Sequence, residues 1–224
     1  GKIIVDLLVE EDITQANIIS NEVEFLNQNR RRIEKNVVDE ALKRIDNKRF
    51  TNVVYGEGWN QGVLGIVASR IIEKSYKPTI VMTESNQDVL TGSVRSVKDY
   101  DVYQSLSDCK DNIIQYGGHK YAAGLKIKKS KFDIFKNQFE DIVKDSVGQT
   151  MFKRSFSYDL LIDFSKLTIE NIKIIKRMAP FGLGNKRPVF RTNNCFIDSK
   201  LKFLGKEDPV SYTHLRAHET PEHL

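Results

Sequence analysis

Residues 115–124 read QYGGHKYAAG. Two adjacent glycines, Gly117 and Gly118, precede His119, and the small run Ala122-Ala123-Gly124 follows. Lacking a Cβ, glycine lets a backbone approach a ligand closely or take φ > 0. A tight turn with a solvated histidine fits the triplet as well as a binding loop does, so its context decides. Downstream, 125–127 continues a strand, and Ser130 is placed to cap a helix with Phe132, Phe135, Phe139, Ile142 and Val143 on its core side. Upstream, Val102, Leu106, Cys109 and Ile113 are spaced four, three and four apart, which predicts an amphipathic helix over 101–116. The triplet then lies between a helix and a strand.

Working outward, 50–55 reads as a buried strand, 56–58 as a turn, and 59–75 as a helix that is apolar nearly all round. Gly62 and Gly65 near its start permit close backbone approach, and a helix N-terminus favours anions. Lys77-Pro78 stops it. Strands at 79–83 and 89–94 flank a turn at 85–88, and the second runs into Gly92-Ser93-Val94-Arg95-Ser96. Alternating strands and helices over 50–147 indicate an α/β domain. Before it, 11–47 reads as one long helix with Leu26, Ile33, Val37, Ala41 and Ile45 near one face. The run Arg30-Arg31-Arg32 on its other side is either a solvated face or faces phosphate. From 155 the character changes. A strand at 155–162, a helix at 168–178, a Gly/Pro-rich loop at 181–188 and strands at 189–191 and 195–204 predict a small β-rich domain.

Residues 209–224, PVSYTHLRAHETPEHL, have no periodicity. Val210–Thr220 back-translates into the transposon-end adaptor used to prepare sequencing libraries, and the register continues into His223-Leu224. The stretch is therefore expected to be non-native and is excluded from fold reasoning. It holds His214, His218 and His223, which leaves His119 as the only other histidine. Without it the chain carries 34 basic and 28 acidic residues, a net +6 that suits a polyanionic partner. No apolar run approaches the ~18 residues of a spanning helix, so no membrane role is expected. No signal peptide is legible, and Cys109 and Cys195 are too far apart to suggest a disulfide framework or zinc site. A cytoplasmic location follows. The abrupt start at Gly1 suggests a chain entered midway.

Three polar clusters fall within the α/β domain: Trp59-Asn60 at a helix start, Ser93, Arg95 and Ser96 at a strand end, and Gly117-Gly118-His119. Arginine forks onto two phosphate oxygens, serine hydroxyls and glycine amides add donors, and histidine donates to a phosphate oxygen. Together they describe a phosphate-handling cleft without a carboxylate cage. Asp99, Asp101, Asp108 and Asp111 are explained by a helix start and a solvated face.

EGWNQGVLGIVASR (57–70), GSVRS (92–96), YGGHKYAAG (116–124) and APFGLGNKRPVF (179–190) resemble the C-terminal half of the RecJ family, single-strand-specific 5′→3′ DNA exonucleases of the DHH phosphoesterase superfamily. The resemblance covers 1–208 in the family's order. It implies the end of a catalytic domain at 1–10, a connecting helix at 11–47, a DHH-associated α/β domain with a mixed sheet flanked by helices at 50–147, and a partial OB-fold β-barrel at 152–208. It implies Mn²⁺ or Mg²⁺ held by Asp and His residues of a preceding catalytic domain, with no metal ligand and no catalytic residue in this chain beyond a cleft-facing His119. Ser93, Arg95 and Ser96 would hold the 5′ phosphate. Gly117, Gly118 and His119 would face the metal cleft, with Trp59 and Asn60 beside it. Asn60 departs from a position that often reads histidine, and Val94 from one that is commonly small. The implied partner is single-stranded DNA, with a single-strand-binding protein or a helicase as further partners of a monomer active in repair and recombination. Two alternatives are a non-catalytic nucleic-acid-binding relative and a phosphodiesterase of oligonucleotides or cyclic dinucleotides.

Overall fold

The computed structural model describes residues 2–86, 88–147 and 152–193. The chain divides into two compact units, residues 1–154 and 155–224. Each is described by itself.

The first unit opens with two helices, α1 (Lys2–Val9) and α2 (Ile13–Lys43). The expected helix at 11–47 is thus preceded by a separate short one. Asp12 ends the break between them, its carboxylate accepting from the Thr14 and Gln15 amides at 2.7 and 3.0 Å. Only the C-terminal part of α2 is buried, through Val37, Val38 and Ala41. Leu26 and Phe25 stand exposed. Of the arginine run, Arg30 reaches Glu34 at 2.8 Å and Arg32 reaches Asn29 at 3.0 Å, both along the helix itself.

Five strands follow: β1 (Asn52–Gly56), β2 (Thr79–Asn86), β3 (Val89–Arg95), β4 (Gln115–His119) and β5 (Ala122–Lys128). They form a mixed sheet in the order β1-β2-β3-β5-β4, with only β1 and β2 parallel. The parallel pair is joined through α3 (Leu64–Lys74), entered by a 3-10 turn at Gln61–Val63. α4 (Val102–Asp108) precedes β4, and α5 (Phe132–Val147) follows β5.

Three expectations need correction here. The helix predicted at 101–116 ends at Asp108; a 3-10 turn at Lys110–Asn112 leads into β4. Cys109 is buried and Ile113 half-buried against the core where the periodicity placed them, so the apolar spacing outlasts the helix, which ends at Asp108. Gly117-Gly118-His119 is part of β4 and not a loop before a strand. Ser130 sits within a 3-10 turn, Lys129–Lys131, that leads into α5, so it is not the residue flanking that helix.

Residues directly opposite in adjacent strands share a sheet face, and the face alternates along each strand. One face carries Ile80, Met82, Leu90, Val94, Leu125 and Ile127, all buried against residues of α4 and α5 that include Leu106, Phe135 and Phe139. On the other face, Val54 of β1 and Val81 of β2 are covered by α3 and the C-terminal part of α2, through Val67, Ile71, Val37 and Ala41. α3 also reaches over β3, where its first turn meets Ser93 and Arg95, but the helices do not close over β5 and β4: β5 alternates between buried Ala123, Leu125 and Ile127 and exposed Gly124, Lys126 and Lys128.

In the second unit, β6 (Leu160–Leu161) and β7 (Phe190–Arg191) pair in parallel. α6 (Ile169–Arg177) lies between them, capped by Thr168, whose hydroxyl accepts from the Asn171 amide at 3.2 Å. The strand expected over 155–162 shortens to two residues. In the loop after α6, the Asn185 side chain donates to the carbonyls of Met178 and Pro180, both at 2.9 Å. The strand expected at 195–204 and the stretch 209–224 lie outside the described residues.

Candidate nucleic-acid interface

The register aligns the polar clusters. One row across the sheet reads Val54, Val81, Ser93, Gly124, Gly117; a neighbouring row on the same face reads Asn52, Thr79, Arg95, Ala122, His119. Each row passes from a covered half into an open one. Ser93, Arg95, Gly117 and His119 therefore share one sheet face, with Ser93 and Arg95 half-buried at the edge of α3 and Gly117 and His119 exposed. β3 and β4 are two strand spacings apart, roughly 9–10 Å, and the rows are about 6.8 Å apart.

Arg95 is held in place rather than free. Its Nη1 donates to the Ser93 hydroxyl at 3.1 Å and to the Val94 carbonyl at 2.8 Å. Its Nη2 lies against the first turn of α3: a Cβ built on Gly65 would sit 2.7 Å from Nη2 and 3.2 Å from the Ser93 hydroxyl. Gly65 thus makes room for the guanidinium, while the positive end of the α3 dipole adds to the field there. Beside Arg95 a groove of about 490 Å³ runs along α3 past Gly62, Ser69, Arg70 and Glu73.

His119 is exposed near the β4–β5 hairpin tip. Its Nδ1 accepts from the Tyr121 amide at 3.3 Å. In the neutral ring this leaves the hydrogen on Nε2, free to donate outward. Gly118 takes φ +146°, and a Cβ there would strike the Ala122 carbonyl and Ala123. Gly117 differs: a Cβ there would meet nothing within 4 Å. Its partner Gly124 would meet only the Gly92 carbonyl, at 3.7 Å. Packing does not require a glycine at either position. Between them they leave a floor of bare backbone.

Three of the expected site residues are used elsewhere. Trp59 is buried; its indole N–H donates to Glu40 at 2.8 Å, its ring lies on Gly56, and the Arg44 guanidinium stands 5.2 Å from the ring. It fastens β1 and α3 to α2 and offers no face for base stacking. Asn60 caps the turn before α3, its side-chain oxygen accepting from the Gly62 amide at 2.8 Å. The Ser96 hydroxyl donates to the Tyr100 carbonyl at 2.7 Å, and Ser96 follows Arg95 past the strand end rather than sharing its row. Of the four aspartates, Asp101 caps α4 by accepting from the Tyr103 and Gln104 amides, and Asp108 accepts from the Gln104 side chain.

Sequence reading missed the carboxylates that support this surface. Glu34 holds both Arg30 and Arg70, and Glu73 also pairs with Arg70. Hydrogen bonds donated to Glu73 and then to Glu34 raise the Arg70 pKa further. Lys129 bridges Glu84 and Glu57, which raise its pKa in turn. Burial, with Asp108 nearby, pushes the Cys109 thiol up to about 12, so it is not a reactive nucleophile. Among the described residues no group of three or more His, Cys, Asp or Glu is placed to hold a metal ion, and His119 alone does not form such a site. Among them too, no helix is long and apolar enough to cross a membrane.

Comparison with known proteins agrees with this architecture. Residues 46–145 match the DHHA1 domain, and residues 158–219 match the RecJ OB domain. The single-stranded-DNA-specific exonuclease RecJ of Bacillus subtilis is 29% identical over 213 residues, which cover 93% of this chain and 27% of that protein. RecJ of Dickeya dadantii is 31% identical, over 83% of this chain and 34% of its own length. The crystal structure of Thermus thermophilus RecJ in complex with Mn²⁺ superimposes with a TM-score of 0.76 at 26% identity, over 85% of this chain and 28% of that one. The chain thus spans about a quarter to a third of the length of these relatives. Over its DHHA1 and RecJ OB domains, the chain belongs to the RecJ family.

Proposed function

We propose that this chain is the strand-positioning part of a metal-dependent 5′→3′ exonuclease acting on single-stranded DNA in repair and recombination. One observation carries the reading: Ser93, Arg95, Gly117 and His119 fall on two neighbouring rows of one sheet face, where that face emerges from beneath α3. The RecJ relatives supply the reaction class by their names.

In this reading Arg95 receives the 5′ phosphate. Its Nη1 is fixed by Ser93 and the Val94 carbonyl, so the remaining N–H groups of the fork are oriented before the anion arrives. The Ser93 hydroxyl, as acceptor from Arg95, keeps its own hydrogen for a second phosphate oxygen. The bare backbone at Gly117 and Gly124 lets the strand lie against the sheet. His119 donates from Nε2 to a phosphate oxygen two strands away. A divalent metal, held in the family by residues outside this chain, would supply the activated water and the charge stabilisation. The chain's own contribution is orientation and electrostatic clamping. A surface walled only by α3 and open across β5 and β4 suits a passing strand better than a cyclic dinucleotide. The OB domain suits single-strand binding as well. We further propose a cytoplasmic monomer, with a single-strand-binding protein or helicase as partner, and an adaptor origin for 209–224, although the OB match extends to 219. Resequencing the gene from genomic DNA checks that origin.

The test is binding of 5′-phosphorylated and 5′-hydroxyl oligonucleotides to the 224-residue chain and its Arg95→Ala variant. Hydrogen bonds to charged groups contribute about 1.5–3 kcal/mol each. Arg95→Ala is therefore expected to cut the preference for the 5′-phosphorylated strand by about 10- to 100-fold. An unchanged preference would overturn the assignment.

A further inference from the structure

The next row on the open face reads Thr91, Lys126, Gln115. It lies about 6.8 Å beyond Ser93 and Gly117 along the strands, a step comparable to that between successive phosphates of an extended single strand. Thr91, Lys126 and Gln115, together with Gly117 and Gly124, line a hollow of about 350 Å³. Lys128 follows on the same face.

Charge singles out this direction. On the other side of Arg95, the groove along α3 is lined by Arg70 and Glu73, and Arg70 is already paired with Glu34 and Glu73. Lys129, just past the end of β5, is likewise held by Glu84 and Glu57. The Lys126 ammonium has no hydrogen bond or ion pair among the described residues, and the rows through Arg95, Ser93 and Thr91 carry no carboxylate. A cation left unpaired beside a glycine floor, in line with a phosphate anchor, complements a second phosphate.

We propose that Lys126, flanked by Thr91 and Gln115, binds an internal phosphate of the single strand whose 5′ end is held at Arg95. This site rests on the strand-positioning role proposed above. It makes the glycine row a passage between two anionic anchors. Lys126 acts as a point charge without base preference, so it contributes to affinity and salt dependence rather than to recognition of the 5′ end.

The test measures binding of 5′-phosphorylated and 5′-hydroxyl oligothymidylates to the 224-residue chain across a salt series, for the unaltered protein, Lys126→Gln and Lys126→Arg. One lost phosphate contact on a single strand lowers the salt slope by about 0.7. Lys126→Gln is expected to weaken both strands equally, several-fold, with that loss of slope and an unchanged ratio between them; Lys126→Arg restores binding. Neutral methylphosphonate linkages placed one at a time are expected to weaken the unaltered protein at one internal position, and that loss should vanish in Lys126→Gln. Unchanged affinity and slope in Lys126→Gln, or an effect confined to the 5′-phosphorylated strand, would overturn the proposal. Failure of the 5′-phosphate reading shows separately, as an unchanged ratio in Arg95→Ala while the internal-linkage effect persists. No binding of either strand by the unaltered chain would overturn both.

Discussion

Two halves of the same sheet face are built to opposite rules. Along the row Val54, Val81, Ser93, Gly124, Gly117, the first two residues are 3% and 0% exposed beneath α2 and α3, whereas Gly124 and Gly117 face solvent. The covered half is filled by branched side chains, with Trp59 seated on Gly56 and tied to Glu40. At the boundary, under the first turn of α3, stands a fixed arginine; the open half beyond it has two glycines that packing does not call for. The sheet continues unbroken beneath both, so the difference lies in the side chains and in the helices laid over them. Where a helix covers the face, the residues serve stability. Where none does, their pattern suits the external strand proposed above.

The largest effect should come from breaking the covered half. Ile71→Ala empties a site that is wholly buried between α3 and its neighbours. Such truncations cost about 2–5 kcal/mol. Denaturant unfolding should register that loss, while the folded fraction keeps its preference for 5′-phosphorylated strands. Loss of the preference in the folded variant would show that the two halves are not separable. A smaller effect, on binding alone, is expected in the open half. Gly117→Val introduces a β-branched residue into a strand position with free space, and β propensities span only about 1 kcal/mol. Stability should stay equal or rise, while single-strand affinity falls at least several-fold because the floor is no longer bare. Unchanged affinity would remove Gly117 from the contact surface; a large loss of stability would mean the glycine serves the fold after all.

The covered half was legible in the sequence for a physical reason. Apolar periodicity reports burial, and 59–75, 79–83 and the Phe135/Phe139 helix were all readable from it. Gly62 and Gly65 were readable as close-approach positions, but the group that approaches Gly65 is the Arg95 side chain, 30 residues away in sequence. Nothing in the sequence marks Gly117-Gly118-His119 as strand, because glycine is depleted in strands and carries no alternating signal. The register of β3 with β5 and of β5 with β4 was not readable, because β5 inserts between two strands that precede it in the chain. That insertion puts Ser93 opposite Gly124 and Arg95 opposite Ala122, and so makes one surface from three motifs. Trp59 and Ser96 were grouped with the site by sequence order, but the indole fills the core and the Ser96 hydroxyl satisfies a local carbonyl. Lys126 was recognisable only through the alternation of 122–128, whose exposed positions lead from Gly124 to two lysines.

The contrast between open and covered halves is tested most directly by following backbone amide chemical shifts while the 224-residue chain is titrated with a 5′-phosphorylated oligothymidylate. The account predicts shifts centred on Ser93, Arg95, Gly117, His119, Gly124 and Lys126, with the amides of Phe135–Val143 in α5 unmoved. Shifts concentrated on α4 and α5, with those six sheet residues unmoved, would contradict it.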